Sequence, residues 1–108
     1  MPGKAPPFKL YFEIFFLESY SELGSRERKS VDKGIKLIAD NPRHPSIEVH
    51  KAKNAKAKYP VGGKNVFIAY ATKNIRFTFE YGPNPGVTAL RNCGAHDKCE
   101  RNVQAPQT

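Results

Sequence analysis

The sequence has no tryptophan, one methionine and only two cysteines. Two cysteines, Cys93 and Cys99, are too few for the disulfide framework that holds small secreted domains together. The core must therefore come from ordinary apolar side chains. No apolar run approaches the roughly 20 residues a membrane helix needs. The stretch that follows the N-terminus is broken by Lys9 and Glu13, and no small-residue cleavage site comes after it. It reads as no signal peptide, and the expectation is a soluble, cytoplasmic protein with no membrane partner. Acid is scarce as well: 10 acidic residues stand against 18 lysines and arginines, a formal net charge of +8. A field of that sign draws polyanions. Nucleic acid comes first among them, an anionic membrane surface second and an acidic protein third, and net charge alone does not choose.

What is present suits one small domain. The 108 residues are 39% hydrophobic and include seven Phe and five Tyr, which bury much area each. Residues 1–7, with three prolines, read as a flexible arm, residues 8–101 as a single domain, and residues 102–108 as a flexible polar tail. Phe8 to Phe15 alternates, with Phe8, Leu10, Phe12 and Ile14 on one side, as in a half-buried strand. A short helical turn follows from Phe16 through Tyr20 and Leu23, stopped near Gly24. Ser25 is placed to cap a second helix, whose apolar face is Val31, Ile35 and Ile38 and whose wet side holds Arg26, Arg28, Lys29, Lys33 and Lys36. Asn41-Pro42 ends it.

Ser46 to Lys51 is a candidate strand. Lys51, Lys53, Lys56 and Lys58 then fall within eight residues, separated by alanine and asparagine, so the segment reads as a mobile basic loop without a hydrophobic face. Val66–Thr72 and Ile75–Tyr81 read as a hairpin about Lys73-Asn74. In the second strand Ile75, Phe77, Phe79 and Tyr81 face one way, and Arg76, Thr78 and Glu80 the other. After the Gly82–Gly86 loop, Val87–Asn92 is a last strand. The segregation of helices and strands predicts an α+β fold: two N-terminal helices on one face of a mainly antiparallel sheet of four to five strands. The other face would carry Arg76 and its neighbours.

The segment from Leu90 to Arg101 is rich in reactive side chains. Arg91 would leave the last strand, Gly94 would permit a sharp turn, and His96-Asp97 follows. A histidine gives or takes a proton near neutral pH, and arginines hold a phosphate and the charge that builds on it. RNA cleavage needs these functions and neither a metal nor a cofactor, because the 2′-hydroxyl is a built-in nucleophile. Each residue also has a plain reading: His96 as a surface histidine, Arg91 as a solvated strand-end charge, Arg76 as an alternating position paired with Glu80, and the lysine run as a solvated loop. His44 and His50 read as structural or solvated. Cys93, His96 and Cys99 stand three residues apart, but a fourth metal ligand is not obvious.

The runs Asp40-Asn41-Pro42-Arg43-His44-Pro45-Ser46, Asn74-Ile75-Arg76-Phe77-Thr78-Phe79-Glu80-Tyr81 and Leu90-Arg91-Asn92-Cys93-Gly94-Ala95-His96-Asp97, in this order and spacing, resemble the RelE/ParE toxin superfamily of bacterial toxin–antitoxin systems. The resemblance spans about Phe8 to Arg101. It implies a RelE-like fold, an antitoxin that wraps the toxin, DNA contact only through the antitoxin complex, and a toxin that either cleaves mRNA on the ribosome or, in the ParE branch, poisons DNA gyrase without catalysis. A degenerate, non-toxic member that binds antitoxin or RNA is a third alternative. On the family pattern Arg76, Arg91, His96 and Asp97 are the catalytic candidates of a metal-independent endoribonuclease, and Lys51, Lys53, Lys56 and Lys58 match a basic RNA-binding segment by region. Two positions depart from the pattern. Tyr70 or Ala69 stands where many members carry a further arginine, and no tyrosine follows Tyr81.

Overall fold

The computed structural model describes residues 9–41, 47–52, 55–59, 61, 63 and 65–95. A single five-stranded sheet has the order β1-β5-β4-β3-β2. Its strands are β1 (Lys9–Phe12), β2 (His50–Lys51), β3 (Phe67–Tyr70), β4 (Ile75–Tyr81) and β5 (Val87–Ala95), and the helices α1 (Ile14–Ser21) and α2 (Ser25–Asp40) lie between β1 and β2 in the chain. All pairings are antiparallel except β1 with β5, which run parallel with Lys9 opposite Val87 and Phe12 opposite Leu90. The expected architecture, two helices against a mainly antiparallel sheet, is the observed one.

The first strand is shorter than its alternation predicts. It stops at Phe12, and α1 begins at Ile14. Ser19 anchors that helix to the sheet: its hydroxyl donates to the Phe15 and Phe16 carbonyls (2.9 and 3.0 Å) and accepts the Cys93 backbone N–H (3.1 Å). Glycine, not serine, caps α2. Ser25 is already helical, Gly24 is the cap, and the Glu27 carboxylate accepts the Gly24 N–H at 2.8 Å. An acid in the first turn also suits the positive end of the helix dipole. The helix ends at Asn41, as the following proline requires.

Val31, Ile35 and Ile38 of α2 and Phe16 of α1 pack with Ile75, Phe77 and Phe79 of β4 and Leu90 and Cys93 of β5 into one core. Burying each large side chain contributes roughly 1.5–3 kcal/mol. The helix lies tight on the sheet at Gly34, where an added Cβ would lie 2.7 Å from the Phe77 ring.

The second face of the sheet differs from the expectation. Arg76 (6% exposed), Thr78 and Glu80 (both 0%) are buried rather than wet. The basic segment after β2 reaches this face and meets Glu80. Its alanines form an apolar face after all: Ala52, Ala55 and Ala57 pack against Val66 and Ile68. Ile68 stands opposite Thr78 on this second face. The backbone N–H groups of Lys58 and Tyr59 donate to the Glu80 carboxylate at 3.0 and 2.8 Å. Residues 55–59 of the segment are thus tied down against the sheet, not the mobile loop that the sequence suggests.

The strand predicted over Ser46–Lys51 shrinks to His50–Lys51. Ile47 is nonetheless buried at 2% exposure, and Glu48 has a positive φ of 46°. The last strand is longer than expected. Gly94 makes no turn but lies inside β5 opposite Arg76, with φ 154°, a conformation that favours glycine. The arm at 1–7 and the tail at 102–108 lie outside the described residues.

Candidate functional site on the sheet face

A β-bulge sets the chemistry of this face. On β5, Asn92 pairs with Thr78 while Leu90 pairs with Phe79, which leaves Arg91 as the extra residue. Such an insertion re-aims a side chain. Here it lets Leu90 and Cys93 both serve the core while Arg91 turns to the other face. Its guanidinium donates to Glu80 at 2.5 Å, and Arg91 is only 4% exposed. Glu80 thus accepts Arg91, Lys58 N–H and Tyr59 N–H together. The fully buried carboxylate is held by one cation and two backbone donors, which is how such a charge is tolerated inside a protein. Arg91 is therefore not the solvated strand-end charge that the sequence suggests. Beside it, the Thr78 hydroxyl bonds the Asn92 side-chain oxygen.

Arg76 does not make the pairing with Glu80 that alternation suggests. Its guanidinium donates to the Lys73 and Thr72 carbonyls at 2.6 and 3.0 Å. The turn that supplies these carbonyls is itself fixed by the Thr72 hydroxyl, which accepts the N–H groups of Asn74 and Ile75. The guanidinium carbon lies 3.5 Å from the centre of the Tyr70 ring, within cation–π range. Tyr70 is the cross-strand partner of Arg76. His50 of β2 completes the row, with its ring edge-to-face with Tyr70 at 5.7 Å and 79°. The His50 Nδ1 is 3.2 Å from the Glu48 carbonyl, and the residue is exposed. His50, Tyr70 and Arg76 thus form a ladder across three strands, rising from buried cation to exposed imidazole.

Nothing in the sequence around His50 marks it as more than a solvated histidine. The signal that finds it is register: His50 opposes Ile68, so it shares a face with Tyr70 and hence with Arg76. Lys51 follows the same alternation to the other side, opposite Phe67. Lys56 is exposed, and Lys58 lies 3.6 Å from Glu13. Glu13 also accepts the Tyr59 hydroxyl at 2.8 Å; burial first, then this carboxylate, push the Tyr59 hydroxyl above its usual range. Lys53, His96 and Asp97 lie outside the described residues, as do His44 and Cys99. The last described residue, Ala95, is registered against Ile75, next to Arg76. Of the candidate residues, then, the structure gathers Arg76 and Arg91 on one face, sends Lys51 to the other, and ties Lys58 to Glu13. Cys93 is a free, buried thiol whose Sγ is 3.7 Å from Ser19 Oγ. Among the described residues no His, Cys, Asp or Glu cluster is arranged to hold a metal, and no helix is long and apolar enough to cross a membrane.

No protein-family model matches the chain, and no curated protein is similar to it in sequence. Solved structures are similar. The archaeal RelE–RelB complex from Pyrococcus horikoshii OT3 superposes with a TM-score of 0.63 at 9% identity, over 82% of this chain and 94% of that one. A free-state arginine-to-alanine mutant of the E. coli toxin RelE gives 0.61 at 17% identity, over 94% and 95%. A YoeB/ParE toxin from Agrobacterium tumefaciens gives 0.55 at 15% identity, over 82% and 99%. At these identities the likeness speaks for the fold, and the fold is that of the RelE/ParE-type toxins.

Proposed function

We propose that this protein is the toxin of a toxin–antitoxin pair and inhibits translation by cleaving mRNA on the ribosome, without a metal or cofactor. One observation carries the reading: the His50–Tyr70–Arg76 ladder on the sheet face away from the helices, in a chain of net charge +8. Cleavage of RNA by its own 2′-hydroxyl needs a base for that proton, an acid for the 5′-oxygen that leaves, and positive charge for the phosphorane between them. Arg76, held by Tyr70 and the turn carbonyls, supplies the fixed charge. His50 and His96 are the two proton carriers, with Asp97 orienting His96, and the product carries a 2′,3′-cyclic phosphate. Lys51, Lys53, Lys56 and Lys58 contribute long-range attraction for the RNA backbone. Arg91 acts as a positioning residue that holds Glu80 and, through it, the basic segment. The likeness to a RelE–RelB complex supports a cognate antitoxin as the protein partner, and a target on the ribosome would place the action in the cytoplasm.

The test is induction in cells followed by mapping of mRNA ends. Cleavage that disappears in both His50→Ala and His96→Ala supports the roles given. Arrested growth with intact messages overturns the reading.

A second reading, a non-enzymatic gyrase inhibitor of the ParE kind, has one observation in its favour: Arg76 and Arg91 are both more than nine-tenths buried. Its mark is a gyrase complex and DNA damage without RNA ends.

A further inference from the structure

The outer side of α2 carries a feature that the sheet face does not use. At 3.6 residues per turn, Val31, Gly34, Ile35 and Ile38 look toward the core. Arg26, Lys29, Lys33 and Lys36 fall together on the opposite side, in one stripe about 15 Å long at 1.5 Å per residue. All four are exposed. Among the described residues none of them forms an ion pair, although Asp32 and Asp40 share the helix. The Asp32 carboxylate instead accepts the Tyr20 hydroxyl at 2.7 Å. Like charges three and four residues apart disfavour a helix, so helix stability does not explain the stripe.

The helices cover one face of the sheet, and the His50–Tyr70–Arg76 ladder lies on the other. The stripe therefore points away from the ladder, and one strand passing over the ladder does not reach it. Its chemistry is also different. Single strands are held largely by aromatic rings on which bases stack, and the stripe has none. Protein interfaces are anchored by aromatic residues and arginines seated in packed pockets, whereas the stripe has no aromatic, and three of its four cations are lysines. What it offers is a row of point charges on a rigid rod. That suits a rigid backbone with regularly spaced phosphates.

We propose that the Arg26–Lys36 stripe of α2 is a second nucleic-acid surface, which grips the phosphodiester backbone of a double helix while the sheet face is free for a single strand. The chemistry is common to duplex RNA and duplex DNA. The inference does not rest on the cleavage reading.

The experiment is fluorescence anisotropy of the full chain with a labelled 20-base-pair RNA duplex and, separately, a DNA duplex, each over a range of salt. In Arg26→Gln/Lys29→Gln/Lys33→Gln/Lys36→Gln the affinity for at least one duplex is expected to fall on the order of tenfold or more. The slope of log Kd against log salt flattens by about three to four, at about 0.9 for each phosphate that is no longer neutralised. The duplex whose affinity falls further identifies the source. Glutamine keeps the helix propensity of lysine and arginine, and the pair Lys29→Gln/Lys33→Gln, expected to flatten the slope by about half as much, guards against misfolding of the fourfold variant. His50→Ala should leave duplex binding untouched. If both variants bind both duplexes with the wild-type affinity and slope, the inference is overturned, and an acidic protein is then the better partner for α2. If His50→Ala keeps mRNA cleavage, the cleavage roles fail and the stripe stands.

Discussion

Arg91 and Glu80 stand 2.5 Å apart across β4 and β5, with 4% and 0% exposure. The bulge places Arg91 there, and the carboxylate carries the 58–59 backbone with it. Removing one partner of a buried ion pair costs about 3–5 kcal/mol. Glu80→Gln is expected to lose that much stability in urea unfolding, and to loosen the basic segment first, as faster hydrogen exchange at Lys58 and Tyr59. A loss under about 1 kcal/mol, the worth of a surface pair, would show that solvent reaches the pair.

Tyr70 contributes through its ring, not its hydroxyl. Tyr70→Phe should leave both stability and cleavage near wild type. Tyr70→Leu removes the cation–π interaction, at a cost of about 0.5–2 kcal/mol, and with it one of the contacts that position the Arg76 guanidinium. A cleavage rate lower by about tenfold, equivalent to about 1.36 kcal/mol in the barrier, is the expected result. Equal rates for the Leu and wild-type proteins would remove Tyr70 from the site.

Gly34 is set by packing. Alanine would improve helix propensity by roughly 1 kcal/mol, but its Cβ would meet the Phe77 ring at 2.7 Å. Overpacking of this kind costs about 1–3 kcal/mol, so Gly34→Ala should lower Tm. Phe77→Leu should recover part of that loss when combined with it, since the smaller side chain opens the space.

Burial raises the Cys93 thiol from its ordinary 9.0 to about 11, against the opposing bond from Ser19. The folded protein therefore holds its proton at pH values where the unfolded chain has lost it. The unfolded state binds fewer protons in that window, so this group's contribution to stability is full below pH 9 and falls between about 9 and 11. Native protein at about pH 8 should label at Cys93 with a thiol reagent only at the rate of unfolding. Labelling at the rate of a free thiol would contradict the burial.

The sheet's inner face can be read from the sequence because alternation and helical spacing report one thing, which side chains avoid water. Ile75, Phe77 and Phe79 against Val31, Ile35 and Ile38 follow from that. The outer face cannot. A buried Arg76, Glu80 and Arg91 look the same in sequence as exposed ones: Arg76 lies against the Tyr70 ring and two turn carbonyls, and Glu80, the partner of Arg91, is met by two backbone N–H groups from a distant segment of alanines and lysines. A bulge leaves no mark in composition either, so the turn of Arg91 toward Glu80 is not legible. His50 is hidden for a third reason. A two-residue strand has no period to detect, and its face is known only once it is paired with Ile68.

The parallel pairing of Lys9 with Val87 joins the beginning of the described chain to nearly its end. Translation delivers β1 and both helices before β5, which follows the other described strands. Until β5 is made, β1 has no strand to lie on, Ser19 has no Cys93 N–H to accept, and Glu80 has no arginine. The His50–Tyr70–Arg76 row is carried by β2, β3 and β4 and does not need β5, whereas the Arg91–Glu80 pair does. Of the described strands β5 alone touches both β1 and β4, so it is the keystone of the sheet, and its arrival completes the buried charge pair that ties residues 58 and 59.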